Sequence, residues 1–508
     1  MSAVAMSSKS PISSILKVSG TDIVDGNGAR VVLKGAGLGG HMNMENFITG
    51  FCGSEHQHRK AMLEVLGEEK YEFFFDKFLE YFFTAADAEY FASLGLNCVR
   101  IPFNYRHFES DANPGVYLEK GFQALDRIIQ HCSAANLYVI LDLHAVPGGQ
   151  NQDWHSDSGL NIALFWQFKE FQERVIKLWE EIARRYKGNP FVSTVSSFLC
   201  RKEIFQGTGE EKGLTCFPPQ IAGYNPVNEP ADPEHKNLIA FYNTFSTRIR
   251  AIDPDHILFL EGNTYAMDFR RFDTVIPNAV YAMHDYSFFG FPGFEQFTGT
   301  AAQKEKLRHQ FERKVEFMRE RKVPIWNGEF GPVYERNDEV TNAKRYALLG
   351  EQLNIYAETN VSWSIWLYKD IGYQGMLYVP PTSAWHQLLQ PFLEKKAATG
   401  VDFWGRNDTE ATKAVYEPIK QHFKEVVPEK FWNKRYPSPL WDMARHIDRA
   451  VRENLLSEYM NYEMASYFEG KTLAELDELA ASFKFENCVQ RTDLNSILQS
   501  DATKSAKS

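Results

Sequence analysis

The chain has 508 residues, 44% hydrophobic and 14% aromatic, with a formal net charge of −11. Such a length and apolar content suit one barrel-sized domain with additions better than several small modules. Acids and bases are interspersed and no basic stripe is present to neutralise phosphates, which argues against nucleic acid as a partner and leaves uncharged molecules such as sugars open.

The opening MSAVAMSSKSPISSILKVSG lacks the apolar stretch of a secretory signal, and no window reaches the length of a membrane span. Residues 1–16 are expected to be a flexible start, and the protein to be cytoplasmic, with a mitochondrial location as the alternative because the start bears Ser and Lys but no early acid. VVLKGAG, from Val31, is the first strand-like run. EEKYEFFFDKFLEYFF, from Glu68, predicts an extra aromatic helix packed as core, since no basic rim flanks it as a membrane-surface helix would require. TAADAEYFASLG follows, with Thr84 placed to cap a helix and Gly95 to take the left-handed position after its last turn. NCVRIPF (from Asn97) and YVILDLH (from Tyr138) read as strands, and EKGFQALDRIIQHCSAANL and ALFWQFKEFQERVIKLWEEIARRYKGN as amphipathic helices. Five further strand-like runs follow: IAGYNPVNEP (Ile221), HILFLEG (His256), AVYAMHDY (Ala279), VPIWNGEF (Val323) and VSWSIWLY (Val361).

Alternating strand and helix about eight times predicts a (β/α)8 TIM barrel over residues 17–430. A doubly wound sheet is the rival, but no glycine-rich phosphate loop follows the first strand. Charged helices without further strand-like runs predict a helical appendage over 431–490, and the polar end, 491–508, is expected to be disordered. The cysteines at 52, 98, 132, 200, 216 and 488 form no CxxC or Cys/His cluster, so neither a zinc site nor a disulfide framework is expected.

In such a barrel the polar residues at the C-terminal ends of the strands converge on one rim. They are Arg100, His144, Asn228 with Glu229, Glu261, His284 with Tyr286, Glu329 and the pair Trp363 and Trp366, of which alternation sends Trp366 to the rim. Two glutamates on opposing strand ends are the minimal equipment for splitting a glycosidic bond: one protonates the leaving oxygen, the other attacks or assists at the anomeric carbon. A lone strand-end Glu is more often an ion-pair partner than a catalyst, and a lone His a satisfied core residue. The case rests on the whole set falling at the same end of successive strands.

RIPFNY, LDLHAVPGGQN, GYNPVNEP, MHDY, NGEFG and WSIWLYKD, in this order, resemble the strand-end motifs of glycoside hydrolase family 5, on the side of the fungal exo-β-1,3-glucanases and their intracellular relatives. The resemblance implies a retaining β-glycosidase without a cofactor, with Glu229 as general acid and base and Glu329 as nucleophile. It also implies that Arg100 orients the nucleophile, that Asn228 holds the 2-hydroxyl, and that His144, Asn151, His284, Tyr286 and Trp366 line the sugar site. GGHMNMENF is similar to the first-loop GGWLVLEPW of exo-acting members, which puts Glu45 on the outer hydroxyls; His41 replaces a tryptophan there and Asn46 a proline, so the sugar stays open. The expected substrate is a β-glucoside, a β-glucan oligosaccharide or a glycolipid, taken from its end. Phe288, Phe289, Phe291 and Phe294 after Tyr286 either flank a hydrophobic leaving group or pack beneath the loop. A silent barrel that binds carbohydrate or a protein partner is the alternative function.

Residues 192–220 interrupt this layout. Removing them joins GNPF to IAGYNPVNEP, a helix exit running directly into a strand, as relatives of the family show. Val192-Ser193 and Gln220 can be encoded by splice-site sequences, so a translated intron and a surface insertion both stand as readings of this segment.

Overall fold

Eight short strands, most of them polar at or next to the C-terminal end, close into a parallel barrel: β1 (Lys34–Gly37), β2 (Cys98–Asn104), β3 (Tyr138–Ala145), β4 (Ile221–Asn225), β5 (Ile257–Glu261), β6 (Ala279–His284), β7 (Ile325–Glu329) and β8 (Ser362–Ile365). Each pairs with the next, and β8 returns to β1 through Trp363, Ser364 and Ile365 beside Lys34, Gly35 and Ala36. These are the eight runs read from the sequence, and the barrel is the expected one. The computed structural model describes residues 14–187, 221–401, 404, 408–432 and 443–504, so the readings of 192–220 and of residues 1–13 lie outside the described residues.

Period-two alternation divides the strand residues between two cores. Cys98, Ile140, Ala222, Ile257, Phe259, Val280, Ala282 and Trp326 cluster inside the barrel, where Leu16, Ile23 and Leu33 join them. Ile23 belongs to a small antiparallel hairpin, Lys17–Ser19 with Asp22–Val24, so the chain's start plugs one end of the barrel. Val99, Leu141, Leu258, Leu260, Tyr281 and Met283 instead join the outer core beneath the helices. Because alternate residues share a face, the inward series continues from Cys98 to Arg100, from Ile140 to Asp142 and His144, from Phe259 to Glu261, and from Ala282 to His284. The same periodicity that fills the barrel with apolar side chains therefore delivers polar ones to its C-terminal mouth.

The helix Ala85–Ser93 starts as expected: the Asp87 carboxylate accepts the Thr84 N–H at 2.8 Å, and Gly95 beyond it takes φ +78°. The aromatic helix Glu68–Phe82 buries Phe74, Phe75, Phe78, Leu79 and Phe82. Its partners are largely C-terminal: Phe74 lies 5.6 Å from Phe468 and 6.2 Å from Trp385, and Phe78 5.0 Å from Phe483, between ring centroids. It forms the seam between barrel and appendage, and Lys369, fully buried, crosses that seam by donating to Asp87 and to the carbonyls of Phe82 and Phe483.

Two expectations for the C-terminal region need correction. Val489–Gln490 is a short strand, antiparallel to Leu377–Tyr378, in a stretch expected to hold none. The segment expected to be disordered, 491–508, contains the helix Thr492–Ala502, whose Leu494 and Leu498 are fully buried. Its spacing of apolar residues is short and set among polar neighbours, but the face it offers meets an apolar site, and Asp501 accepts from Trp363 Nε1 at 3.2 Å while pairing with Lys34 Nζ at 2.9 Å. Leu498→Ala is expected to lower the unfolding free energy by about 3 kcal/mol, measured by chemical denaturation, with turnover at room temperature unchanged.

Candidate active site

Arg100, inward on β2 and fully buried, is where the strand ends meet. Its guanidinium donates to Glu329 Oε1 and Asn228 Oδ1, each at 2.6 Å, and approaches Asp142 Oδ2 at 3.0 Å and Glu261 Oε1 at 3.3 Å. The second oxygen of Glu329 accepts from Tyr286 Oη at 2.9 Å, so both carboxylate oxygens are held by donors. Burial alone would raise the Glu329 pKa, but the charges of His284, Arg100 and His144 outweigh it and bring it down to about 2.

Glu229 is built differently. It follows β4 in the left-handed region, φ +46°, a strained position for a residue with a Cβ. Two bonds fix that backbone: its N–H donates to Glu261 Oε2 at 2.6 Å, and its carbonyl accepts from Asn151 Nδ2 at 2.9 Å. The carboxyl meets His284 Nδ1 at 2.7 Å through Oε1 and His155 Nε2 at 3.2 Å through Oε2. Burial raises its pKa; the proton-donating His284 opposes this, the negative charges of Glu329 and Glu261 reinforce it, and the net displacement is upward.

His284 lies between the acids, its ring nitrogens 2.7 Å from Glu229, 3.6 Å from Glu261 and 3.7 Å from Glu329. Although burial disfavours its charge, Glu329 and Glu261 with the Glu229 hydrogen bond push its pKa up to about 10, which keeps it an imidazolium. One oxygen of Glu229 and one of Glu329 lie within 4.8 Å of each other. With His284 these atoms also have metal-ligand spacing, but the imidazole spans the two carboxyls and Arg100 and Tyr286 already hold Glu329. One carboxyl held below the usual carboxylate range and the other pushed above it, about 5 Å apart, is the arrangement that supports double displacement at a sugar carbon; inverting pairs stand roughly 6.5–9.5 Å apart.

His144 stacks face to face on Trp366, centroids 5.3 Å apart and planes 2° from parallel, with Nδ1 at 2.7 Å from Asp142. Burial is again outweighed, by Asp142 above all, and its pKa rises to about 10. Its Nε2 faces Glu45 Oε1 at 3.7 Å, and Glu45 Oε2 accepts from Trp154 Nε1 at 3.0 Å. Glu45, Arg100, His144, Asn228, Glu229, His284, Tyr286, Glu329 and Trp366 thus come together as expected. Trp363, by contrast, is core on the outer side of β8.

Asn151 does not face the sugar site as a donor. Its Nδ2 is engaged by the Glu229 carbonyl and His155 Nε2, and its Oδ1 by the Asp153 N–H at 2.9 Å, so it positions Glu229 and the loop. His41, whose replacement of a tryptophan left the sugar open, is fully buried, with Nε2 2.8 Å from the Leu79 carbonyl and its ring against Phe82. It belongs to the seam with the aromatic helix. Sequence reading missed His155, Asp142 and Trp154, and also Trp404, whose ring lies 5.4 Å from Tyr286 and 6.1 Å from Trp154. Asp142 carried a signal, since it shares the inward face of β3 with His144; the loop residues carried none.

The sequence pattern of Cellulase (glycosyl hydrolase family 5) matches residues 70–194 and 219–372, the gap falling inside the segment set apart above. A β-xylosidase of Phanerodontia chrysosporium is 49% identical over 96% of this chain and 98% of its own length. A probable glucan 1,3-beta-glucosidase A of Emericella nidulans is 30% identical over 35% of this chain and 45% of its own. A solved endogalactoceramidase shares the fold, with a TM-score of 0.50 at 14% identity, covering 76% of this chain and 78% of that one. A match over more than half the chain, on a barrel whose mouth holds two carboxyls at the spacing of a double displacement, places the protein in glycosyl hydrolase family 5, as a retaining β-glycosidase.

Proposed function

We propose that the protein is an exo-acting glycosidase that removes one sugar from the non-reducing end of a β-linked substrate, a β-xyloside first, with Glu329 as nucleophile and Glu229 as acid and base. The observation that carries the reading is the pair itself: carboxyl oxygens within 4.8 Å of one another, the pKa of Glu329 pushed down by neighbouring cations and that of Glu229 pushed up by burial. Glu329 bonds to the anomeric carbon as Glu229 gives its proton to the departing oxygen; water then attacks the same carbon, loses a proton to Glu229 and frees Glu329. Asn228, its Oδ1 taken by Arg100, sets its Nδ2 3.3 Å from His144 Nε2, and the second N–H of that amide can serve a sugar hydroxyl.

Exo action is supported by a wall that the appendage helps build. Arg449 pairs with Asp153 at 2.5 Å and lies 4.9 Å over the Trp154 ring, and Trp154 holds Glu45. The β-xylosidase relative spans appendage as well as barrel, whereas the glucan glucosidase relative covers about a third of the chain, which favours xyloside over glucoside. On the leaving-group side Phe289 is buried, but Phe288 and Phe294 are 61% and 51% exposed and stacked 4.7 Å apart, and Phe291 rests 5.0 Å from Trp404. This favours leaving groups with an apolar face, a glycolipid headgroup linkage among them.

Aryl β-xylosides and β-glucosides, with xylo- and gluco-oligosaccharides, test the reading: monosaccharide of β configuration is expected as first product by NMR, and internal fragments or an α product would overturn it. Glu329→Gln is expected to reduce kcat by about 10⁴-fold or more without changing the thermal midpoint greatly. Because cations hold Glu329 ionised, removing one must raise its pKa: His144→Gln is expected to move the acid limb of kcat/KM to higher pH by about one unit. Trp154→Phe, which removes the N–H that holds Glu45 and shrinks the ring beneath Arg449, is expected to raise KM about tenfold with kcat nearly unchanged.

A further inference from the structure

We propose that Asp285, anchored by the buried Lys314, is the positioning residue that aims Glu329 at the anomeric carbon. The inference rests on the reading of Glu329 as nucleophile and names groups that reading does not use. Strand β7 is irregular where it carries that nucleophile: Met283 of β6 stands beside Asn327 and His284 beside Glu329, which leaves Gly328 without a partner in β6. A bulge of this kind re-aims the side chain next to it and bends the strand, so the direction of Glu329 depends on what holds the bulge. Glycine is required there, since a Cβ on Gly328 would come 2.9 Å from His284 Nε2. Two bonds from the neighbouring strands do the holding: Ser364 Oγ donates to the Gly328 carbonyl at 2.5 Å, and the Asp285 N–H to the Glu329 carbonyl at 2.9 Å.

Asp285 is the outward residue between two inward ones. His284 before it meets Glu229, and Tyr286 after it donates to Glu329 Oε2 at 2.9 Å, so residues 284–286 hold the nucleophile by its backbone and its side chain together. Every hydrogen-bonding group of Asp285 is engaged. Beyond the N–H, its carbonyl accepts from Gln352 Nε2, its Oδ1 from Lys314 Nζ and its Oδ2 from Tyr356 Oη, each at 2.7 Å. Gln352 and Tyr356 share one face of the helix Glu339–Glu358, and Lys314 comes from the helix Ala301–Arg321, so two helices reach in to a single aspartate.

Stability alone does not account for that lysine. Leu307, Phe311, Lys314 and Met318 form one buried stripe of their helix, and at the third place an apolar side chain would serve the packing as well. Lys314 and Asp285 are 7% and 6% exposed, and a buried ion pair is commonly no more stabilising than an apolar pair of the same volume, because both charges lose their hydration. What the pair supplies is direction. A carboxylate fixed by an ammonium and a phenol fixes the backbone N–H behind it, and through that N–H the carbonyl of Glu329. Loosening the pair lets the bulge relax and the Glu329 carboxylate move off the line of attack, where about 1 Å of misplacement costs about 100-fold in rate.

Lys314→Met combined with Asp285→Asn neutralises the pair without leaving a buried charge unpaired. The full chain carrying both is compared with the wild type on a dinitrophenyl β-xyloside and on its 2-deoxy-2-fluoro analogue. Glu329 attacks the anomeric carbon of the analogue, dinitrophenolate leaves with the bonding electrons, and the sugar stays on the carboxylate as an ester, so the analogue both counts and times the nucleophile. The double variant is expected to keep its thermal midpoint within about 5 °C and to label one Glu329 per chain, but roughly 10- to 100-fold more slowly, with kcat/KM on the xyloside reduced by the same factor. A role in folding alone gives a different pattern, fewer sites labelled and each at the wild-type rate; that pattern, or full labelling at the wild-type rate, would overturn the proposal. If the double variant does not fold, Tyr356→Phe, which takes only a hydroxyl from the same carboxylate, is expected to slow labelling about threefold to tenfold, and an unchanged rate there counts equally against it. Peptide mapping of the wild type separates the levels. A label elsewhere than Glu329, or none from either the xyloside or the corresponding glucoside, sinks the nucleophile assignment itself, whereas Glu329 labelled at equal rates in wild type and variants removes only the role of Asp285 and Lys314.

Discussion

A guanidinium with no access to water dominates this barrel. Arg100 is fully buried, and a charge in that position is tolerable only if acids and hydrogen bonds surround it. Glu329, Glu261, Asp142 and Asn228 do so from four other strands or strand ends, which ties the geometry of the mouth to one side chain. So many acids in one place call for further cations, and His144 and His284 are driven to accept protons for that reason. The asymmetry of the two reacting carboxyls follows. Glu329, facing His284 and touching the guanidinium, is held ionised; Glu229, buried without the guanidinium and close to other negative charge, is pushed toward its protonated form. The buried cations of the mouth, His284, Arg100 and His144, thus divide two chemically identical side chains between two roles.

The barrel and most of this site were legible because strand periodicity is local. Once YVILDLH is a strand with Ile140 inward, His144 is inward too, and the same counting carries Ala282 to His284 and Cys98 to Arg100. What escaped were contacts between residues far apart in the chain. His155 stands in a loop with no period to read, and its meaning depends on Glu229, across a separation no pattern spans. Asn151 was legible as a member of the site and not as a support, because the backbone of Glu229 that it holds turns only in three dimensions. The helix Thr492–Ala502 was hidden by composition: two leucines among polar residues look solvated until an apolar seat is found for them.

The loop between β3 and its helix emerges as the part through which the appendage addresses the chemistry. Residues 151–157 hold Asn151 and His155 against Glu229, Trp154 against Glu45, and Asp157 against Arg106 and His56. Arg445 and Arg449 clamp the middle of it at Asp153, Arg449 from a π-helical turn, Arg449–Leu456, of the kind that recurs at functional positions. The C-terminal helices are accordingly part of the pocket's construction, and the catalytic unit extends well past the last barrel strand.

Asp501 joins Lys34 at the start of β1 to Trp363 of β8, the two strands whose pairing shuts the cylinder. Its carboxylate is a clasp supplied from more than a hundred residues beyond β8. On a ribosome the eight strands can gather first, yet the clasp is absent until the helix Thr492–Ala502 emerges, so the seam of the cylinder is secured later than its strands are made.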